Sequence, residues 1–449
     1  MKDKQSWGAR LLAVMIMFLA VGALGYGVDQ SAFGRIIIAY GLFFWAYGWQ
    51  VTTVGRADLR FWLAIAVLLR LALVGAFPSL SDDIYRFVWD GRLWLAGLNP
   101  FDELPRAYLA EGLQVPGLTL GLFEQLNSPD YYTIYPPVAQ ALFWLSAGLF
   151  PQSVEGASVV MQVFLLLVEV GTIFLLRDLL RYWSLPEERV LWYALNPLII
   201  VEVVGNLHFE GAMIFFLLLG LRLLLRWKDE AHLFWLFASA LAMALAVSSK
   251  LLPLLFFPFL LRRLGWRTSF LYFGSMGLML LLMWWPLYSS AFVANFGSSV
   301  DLYFRRFEFN GSLYYALRWI GYQFSGFNLI RFIGPSLAAL VFLTIMGYSA
   351  REKISTNWAE LPLRWLVAIA VYLFCATTVH PWYTALPLML CLFTNFRWPV
   401  LWTALITMTY INYSYVDYHE NLLVVALEYG VVLLLIGLEW RKNRQVAAV

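Results

Sequence analysis

The chain has 449 residues, of which 61% are hydrophobic, 18% aromatic and only 13% charged, against roughly a quarter charged in a soluble domain. With a mean hydropathy of +0.71, that balance excludes an ordinary cytosolic enzyme, a disordered chain and a collagen-like repeat. The net charge of +3 gives no reason to expect a nucleic-acid partner. A polytopic, all-α membrane protein remains.

In chain order, Lys2, Lys4 and Arg10 precede an apolar stretch from Leu11 to Gly25 that no small-residue cleavage site follows, so it reads as an uncleaved first span. Further apolar stretches lie at 33–53, 59–77, 155–176, 190–204, 209–225, 233–249, 251–261, 269–287, 331–348, 364–379, 382–394, 398–413 and 421–438. A helix needs about 20 residues to cross the hydrocarbon, so the shorter stretches are expected to be tilted, fused or incomplete, and the count is about 12 to 14. The segment 136–150 is apolar but short, and a crossing there would invert every later one; it is expected to be re-entrant or interfacial. Cys375 and Cys391 fall inside apolar runs and read as free, buried thiols.

Lysine and arginine in short loops are retained in the cytoplasm. With a cytoplasmic N-terminus, Arg56 and Arg60, Arg177 and Arg181, Arg222, Arg226 and Lys228, Arg262, Arg263 and Arg267, Arg351 and Lys353, and the tail Arg441, Lys442 and Arg444 all fall on that side. The opposite face receives a large loop, 78–135, in which Asp82, Asp83, Asp90, Asp102, Glu103, Glu111, Glu124 and Asp130 outnumber Arg86, Arg92 and Arg106. It also receives the polar segments 205–211, the turn at Lys250, 288–330, 380–383 and 417–421. A transporter keeps its ionisable groups near the midplane. Here they collect at one edge, which suggests chemistry on a lipid-anchored molecule.

The strongest local pattern is SDDIYRFVWDGR, 81–92. Asp82 and Asp83 repel each other at a lipid edge, so one could act as a base, or the pair could hold a divalent cation. Helical spacing puts Asp83, Arg86 and Asp90 on one face; equally, Ser81 could cap a juxtamembrane helix whose acids complement its dipole. Glu202, His208 and Glu210 surround a tight hairpin after Asn196-Pro197, where hydroxyl binding is favoured over metal ligation because the spacing matches no standard metal site. Lys250 either snorkels to head groups or faces a membrane-level phosphate. Arg305, Arg306 and Arg318 add charge among aromatics that could be an interfacial belt or a sugar platform. His380-Pro381-Trp382-Tyr383 is a pinned interfacial turn or part of a site. Arg70, deep inside a span, is expected to pair with Glu169 or another buried acid.

Taken in order, SDDIYRFVWDGR, GLNP at 97–100, YPP at 135–137, Asn196-Pro197, GNLHFEGA, KLLPLL, FEFNGS and HPWY resemble integral-membrane glycosyltransferases of the GT-C fold. The likeness is to bacterial polyprenol-phosphate-dependent mannosyltransferases, themselves distantly similar to the eukaryotic enzymes that mannosylate glycosylphosphatidylinositol. It runs from Leu59 to the last span, leaving 1–58 as two additional helices before a catalytic module at 59–449 with loops at 78–135 and 288–330. The resemblance implies a hexose, mannose first, passed with inversion from a polyprenyl-phosphate donor to an acceptor hydroxyl on a glycan or glycolipid at the extracytoplasmic face of a bacterial inner membrane. It implies Asp83 as general base, with Asp82 as the alternative, because the family keeps the acid immediately before Ile-Tyr-Arg. Lys250, Arg86 and His380 are then the groups for the departing phosphate. Asp90, Arg92, Tyr135, Glu202, His208, Glu210, Asn310, Trp382 and Tyr383 are expected to bind substrate. Related members have His followed by Asn-Asp where this chain has His208-Phe209-Glu210, which bears on the role of Glu210. Some GT-C enzymes use a divalent cation, Mg or Mn; if one binds here, Asp82 and Asp83 are its ligands. A lipid-linked sugar flippase, a polysaccharide export or ligase-type protein, and a non-catalytic scaffold are the alternatives.

Overall fold

The computed structural model describes residues 6–109 and 115–447; the expected charges Lys2, Lys4 and Glu111 lie outside them. Among the described residues the chain is all-α, with one isolated bridge between Phe309 and Thr378 and no strand. The longer helices are α1 (Trp7–Tyr26), α2 (Phe33–Thr53), α3 (Leu59–Leu71), α4 (Asp83–Leu95), α5 (Pro137–Leu149), α6 (Val154–Tyr182) and α7 (Glu210–Glu230). They continue with α8 (Leu233–Ser249), α9 (Trp266–Trp284), α10 (Phe292–Arg305), α11 (Leu313–Ser325), α12 (Ile330–Ser349), α13 (Leu361–Cys375) and α14 (Leu422–Ala447). Cys391 is a free, buried thiol as expected, while Cys375 is free but only partly buried.

Among the described residues six helical stretches are long and apolar enough to cross a membrane: α1, α6, Trp266–Leu287, α12, Trp358–Cys375 and Leu422–Gln445. A seventh arises if Pro197–Gly205 and α7, bent by 107°, form one broken crossing. Of the remaining apolar stretches, α2 runs uninterrupted for 21 residues, and α3 and α8 stop at 13 and 17 residues without a proline; in others proline interrupts the i to i−4 ladder. Pro253 and Pro258 divide 251–264 into a 3-10 turn, Leu252–Phe256, and an eight-residue helix, Phe257–Leu264. Pro399 opens Trp398–Leu405, which then tightens into the 3-10 segment Ile406–Ser414. At 13 residues, α5 is about 20 Å long, too short for a hydrocarbon core of about 30 Å.

The buried polar groups fix how the helices cross. Arg70, fully buried in α3, gives Nε and Nη2 to Glu169 Oε2 of α6 at 3.1 and 2.9 Å and Nη1 to the Ala194 carbonyl at 2.6 Å. This is the partner expected from sequence. Tyr193 completes the carboxylate from 2.7 Å. One face of α6 also holds the chain leaving α3. Gln162, seven residues before Glu169, accepts the Gly75 N–H at 2.8 Å and donates to the Ala76 carbonyl at 2.6 Å. Helices α4 and α5 approach closely: Phe87 and Phe143 stack at 4.4 Å, and a Cβ on Gly91 would lie 2.3 Å from the Phe143 carbonyl oxygen. Only glycine fits there.

Candidate functional site

The start of α4 carries the tandem acids, and the expectation that Asp83, Arg86 and Asp90 share a face is met. The segment 127–133 runs along that face. Asn127 donates to Asp83 Oδ1 at 2.7 Å, Arg86 donates to the Ser128 and Tyr131 carbonyls at 3.1 and 2.9 Å, and Thr133 donates to Asp90 Oδ2 at 2.5 Å. Arg86 also bonds Asp90 Oδ1 at 2.9 Å, and Gln140 of α5 reaches Oδ2 at 3.0 Å. Arg86 and Asp90 are buried, and their hydrogen bonds latch this loop to α4 and α5. Arg92 acts likewise, giving Nη1 to the Gly117 carbonyl at 2.6 Å. Tyr135 sets its ring edge-on to Phe87 and Phe143 at 4.9 and 5.4 Å.

Asp82 is exposed and Asp83 half-buried. Desolvation by the surrounding wall, and then the charge of Asp83, holds the Asp82 carboxyl above its ordinary range.

The second part is built by Asn196-Pro197 and the turn that leads from them to His208. Asn196 caps the Leu198 and Ile199 N–H groups, with proline at the first helical position, where its missing N–H costs nothing. The helix then widens into a π turn, Ile200–Gly205, and Leu207 takes φ +63°. Single π turns often mark functional sites, because the wider turn re-aims side chains. Here it turns the buried Glu202 inward: Oε1 accepts from Tyr40 at 2.8 Å and Tyr410 at 2.6 Å, and Oε2 lies 3.4 Å from Asn206 Nδ2. Asn206 in turn accepts the Leu80 N–H at 3.1 Å, tying this turn to the residues just before the tandem acids. His208 Nδ1 lies 2.9 Å from the Glu202 carbonyl and so carries a proton, while Nε2 is buried and without a protein partner. Glu210, fully buried, lies 3.1 Å from Lys250 Nζ at the end of α8.

The third part is a column of rings. His208 stacks on Trp382 at 3.5 Å, Trp382 on His380 at 4.7 Å, and His380 on Phe309 at 4.8 Å, with interplanar angles of 16°, 5° and 25°. Tyr383 closes on His380 edge-first at 5.5 Å. Both faces of Trp382 are therefore covered, and a sugar can meet only its edge. Burial drives His380 down to about 3, with Lys250 and His208 pushing the same way and Asp83 pulling against them. His380 is thus a neutral imidazole that offers a hydrogen bond and no charge. Its Nδ1 is buried and unpartnered.

Asn310 stands behind this column. At φ +50°, a conformation asparagine tolerates better than most residues, it donates its N–H to Glu420 at 2.8 Å and its Nδ2 to Glu428 at 3.1 Å, while its carbonyl accepts from Tyr429 at 2.8 Å. Phe309 N bonds the Thr377 carbonyl at 3.0 Å and Val379 N the Phe309 carbonyl at 2.8 Å, which fixes the ring that covers His380. Burial pushes Glu420 up to about 7, against the Asn310 N–H and with the charge of Glu308. Its neutral form is favoured on folding, so this buried carboxyl stabilises the fold in full below the ordinary carboxylate range, and that contribution is lost as pH rises to about 7. Replacing Glu420 by glutamine is expected to flatten the decline in thermal stability across that interval. An unchanged decline in the variant would assign it to another group.

Direct contacts thus join Glu202, His208, Trp382, His380 and Tyr383, with Lys250 on Glu210 two residues beyond His208 and the tandem acids two residues beyond the Leu80–Asn206 bond; Arg86, Asp90, Arg92, Tyr135 and Asn310 hold the segments around them. The supporting roles of Tyr40, Asn127, Tyr410 and Glu420 had no local signal in the sequence, whereas Asn206 and Phe309 lie inside GNLHFEGA and FEFNGS. Among the described residues no group of three or more His, Cys, Asp or Glu is placed to hold a metal ion. A divalent cation at Asp82 and Asp83 would have to complete its shell with water or substrate oxygens.

Residues 21–265 match a family described as "Alpha-(1->6)-mannopyranosyltransferase, N-terminal domain", the MptA_B family, over a little more than half of the chain. The chain is 25% identical over 246 residues to an alpha-(1->6)-mannopyranosyltransferase of Mycobacterium tuberculosis, covering 48% of this chain and 40% of that protein. It is 27% identical over 154 residues to alpha-(1->6)-mannopyranosyltransferase B of Corynebacterium glutamicum, covering 34% of this chain and 25% of that protein. The chain spans less than half the length of these curated relatives.

Proposed function

This chain belongs to the MptA_B family of alpha-(1->6)-mannopyranosyltransferases, and from that premise we propose that it transfers mannose from a polyprenyl phosphate to a hydroxyl on a lipid-linked or cell-envelope glycan. The reading includes inversion at the anomeric carbon, a site at the extracytoplasmic face of the bacterial cytoplasmic membrane, and cytoplasmic termini. About 12 to 14 passages through the bilayer result if the proline-broken segments pair into crossings. The observation that carries the proposal is that one buried imidazole, His380, feels Asp83, Lys250 and His208 together. A carboxylate and an ammonium that both act on one imidazole supply a base and a counter-charge for a displacement with a phosphate leaving group.

In that displacement the acceptor oxygen attacks the anomeric carbon from the side opposite the phosphate. Its proton passes to the Asp83 carboxylate as the new C–O bond forms. The bond from the anomeric carbon to the phosphate oxygen breaks with its electron pair on the oxygen, and polyprenyl phosphate departs beside Lys250. His208 Nε2 and the neutral His380 orient hydroxyl and phosphate oxygens through hydrogen bonds. Trp382, clamped between the two imidazoles, holds them parallel.

Two measurements test this. The purified chain in lipid, given radiolabelled polyprenyl-phosphate mannose and candidate acceptors, should turn over that donor and not a nucleotide-diphosphate mannose; the absence of turnover with every lipid-linked sugar would favour a flippase instead. Lys250→Gln should lower kcat by about 10²–10³. That substitution also leaves Glu210 as an unpaired buried charge. The double variant Lys250→Gln, Glu210→Gln should therefore fold as the wild type does and still transfer slowly. Wild-type rates in the double variant would remove Lys250 from the reaction.

A further inference from the structure

Four arginines converge at the end of the bundle remote from the tandem acids. Arg56 and Arg60 flank the start of α3, Arg177 and Arg181 lie one turn apart at the end of α6, and Glu187 comes in the next loop. With Ala57 and Leu59 these residues line a cavity of about 360 Å³. From here α3 climbs about 20 Å before the chain turns toward Asp82 and Asp83, which separates the cavity from the site described above.

Glu187 is the one acid in the lining. Its Oε1 takes Arg56 Nη2 at 3.0 Å, and its Oε2 takes Arg177 Nε at 2.7 Å and Arg181 Nη2 at 2.8 Å. The bonds from Arg181 and then Arg177 hold its carboxyl at about 2 against the effect of burial, so it is a fixed negative charge. One carboxylate against four guanidinium groups leaves an excess of three positive charges. The neighbouring acids do not offset it: Asp58 is paired with Arg10 at 2.8 Å, Asp178 with Arg222 at 2.5 Å, and Glu188 does not line the cavity. Each guanidinium carries five N–H donors in a planar fork, and the cavity's own acceptor takes one from each of three of them. The mouth is open, with the Arg56 side chain 78% exposed.

Arginines at a helix end can serve only to fix topology. Charges with that role alone repel each other and spread into solvent, whereas these enclose a hollow around a shared carboxylate. We propose that the cavity binds a phosphate-bearing anion, gripped by forked guanidinium pairs at the junction of α3 and α6. Because α6 is long and apolar enough to cross a membrane, the phosphate of an anionic lipid headgroup has access at this level, and so does a free phosphate anion.

The test uses the full chain, purified and stripped of lipid, in two arms. In the first, phosphatidylglycerol in phosphatidylcholine nanodiscs is the probe, and retained lipid is counted by native mass spectrometry. In the second, inorganic phosphate is added to the chain in phosphatidylcholine alone, and the melting temperature is read. Arg56→Gln with Arg60→Gln leaves Arg177 and Arg181 on Glu187; it should weaken retention by about tenfold or more. Arg441→Gln with Arg444→Gln removes equal charge elsewhere and should leave retention unchanged. Loss in the first arm alone identifies a lipid headgroup, and a phosphate-dependent stabilisation lost in the same variant identifies a soluble anion. Equal binding by wild type and the Arg56, Arg60 variant in both arms, or equal loss in the tail variant, overturns the proposal.

Discussion

Asp83→Asn is expected to lower mannosyl transfer by about 10²–10⁴, the range a positioned general base contributes, while the chain melts as the wild type does. The substitution is nearly isosteric, and the new side-chain oxygen can still accept the Asn127 amide that now bonds Asp83 at 2.7 Å. It removes the capacity to take a proton and little else. Asp82→Asn should cost less, because Asp82 is exposed and its effect reaches the reaction through its neighbour. Initial rates at saturating lipid donor separate the two: full turnover in Asp83→Asn with loss in Asp82→Asn would exchange their roles. Full turnover in both would place the base elsewhere.

The features that sequence revealed and those it hid divide along a physical line. A single arginine in an apolar run must find a counter-charge within the bundle, so Arg70 and Glu169 could be paired although 99 residues separate them. Helix α2 at 33–53 and α8 at 233–249 were legible from hydropathy alone because nothing interrupts them. At 251–261 the same hydropathy misleads: the leucines and phenylalanines read as a span, but Pro253 and Pro258 cut it into a 3-10 turn and a short helix. The Glu202 shell was hidden for a different reason. Tyr40 and Tyr410 are 162 and 208 residues away, in stretches whose tyrosines look like any aromatic wall. Arg86 was expected at the departing phosphate, but the Asp90 carboxylate and the carbonyls of Ser128 and Tyr131 occupy it, and a sequence does not show those carbonyls.

Arg70→Met should destabilise the fold by about 3–5 kcal/mol, the cost of leaving one member of a buried ion pair uncompensated. Both side chains are fully buried, and Arg70 also binds the Ala194 carbonyl, so its loss frees contacts on three elements at once. Without it the Glu169 carboxylate keeps only the Tyr193 hydroxyl. Arg70→Met combined with Glu169→Gln should recover much of the loss, since the stranded charge is gone while the Tyr193 bond can persist. Thermal unfolding in detergent reads both variants, and a single variant that melts with the wild type would mean that the pair contributes little. The consequence for chemistry is separable, because α6 clamps the exit of α3 a second time through Gln162, on the Gly75 N–H and the Ala76 carbonyl. Gln162→Leu should lower kcat more than it lowers the melting temperature, because the path from that clamp to Asp83 is short and otherwise held by Asn206 on the Leu80 N–H. A change confined to KM would place the effect in donor binding and not in the alignment of the tandem acids.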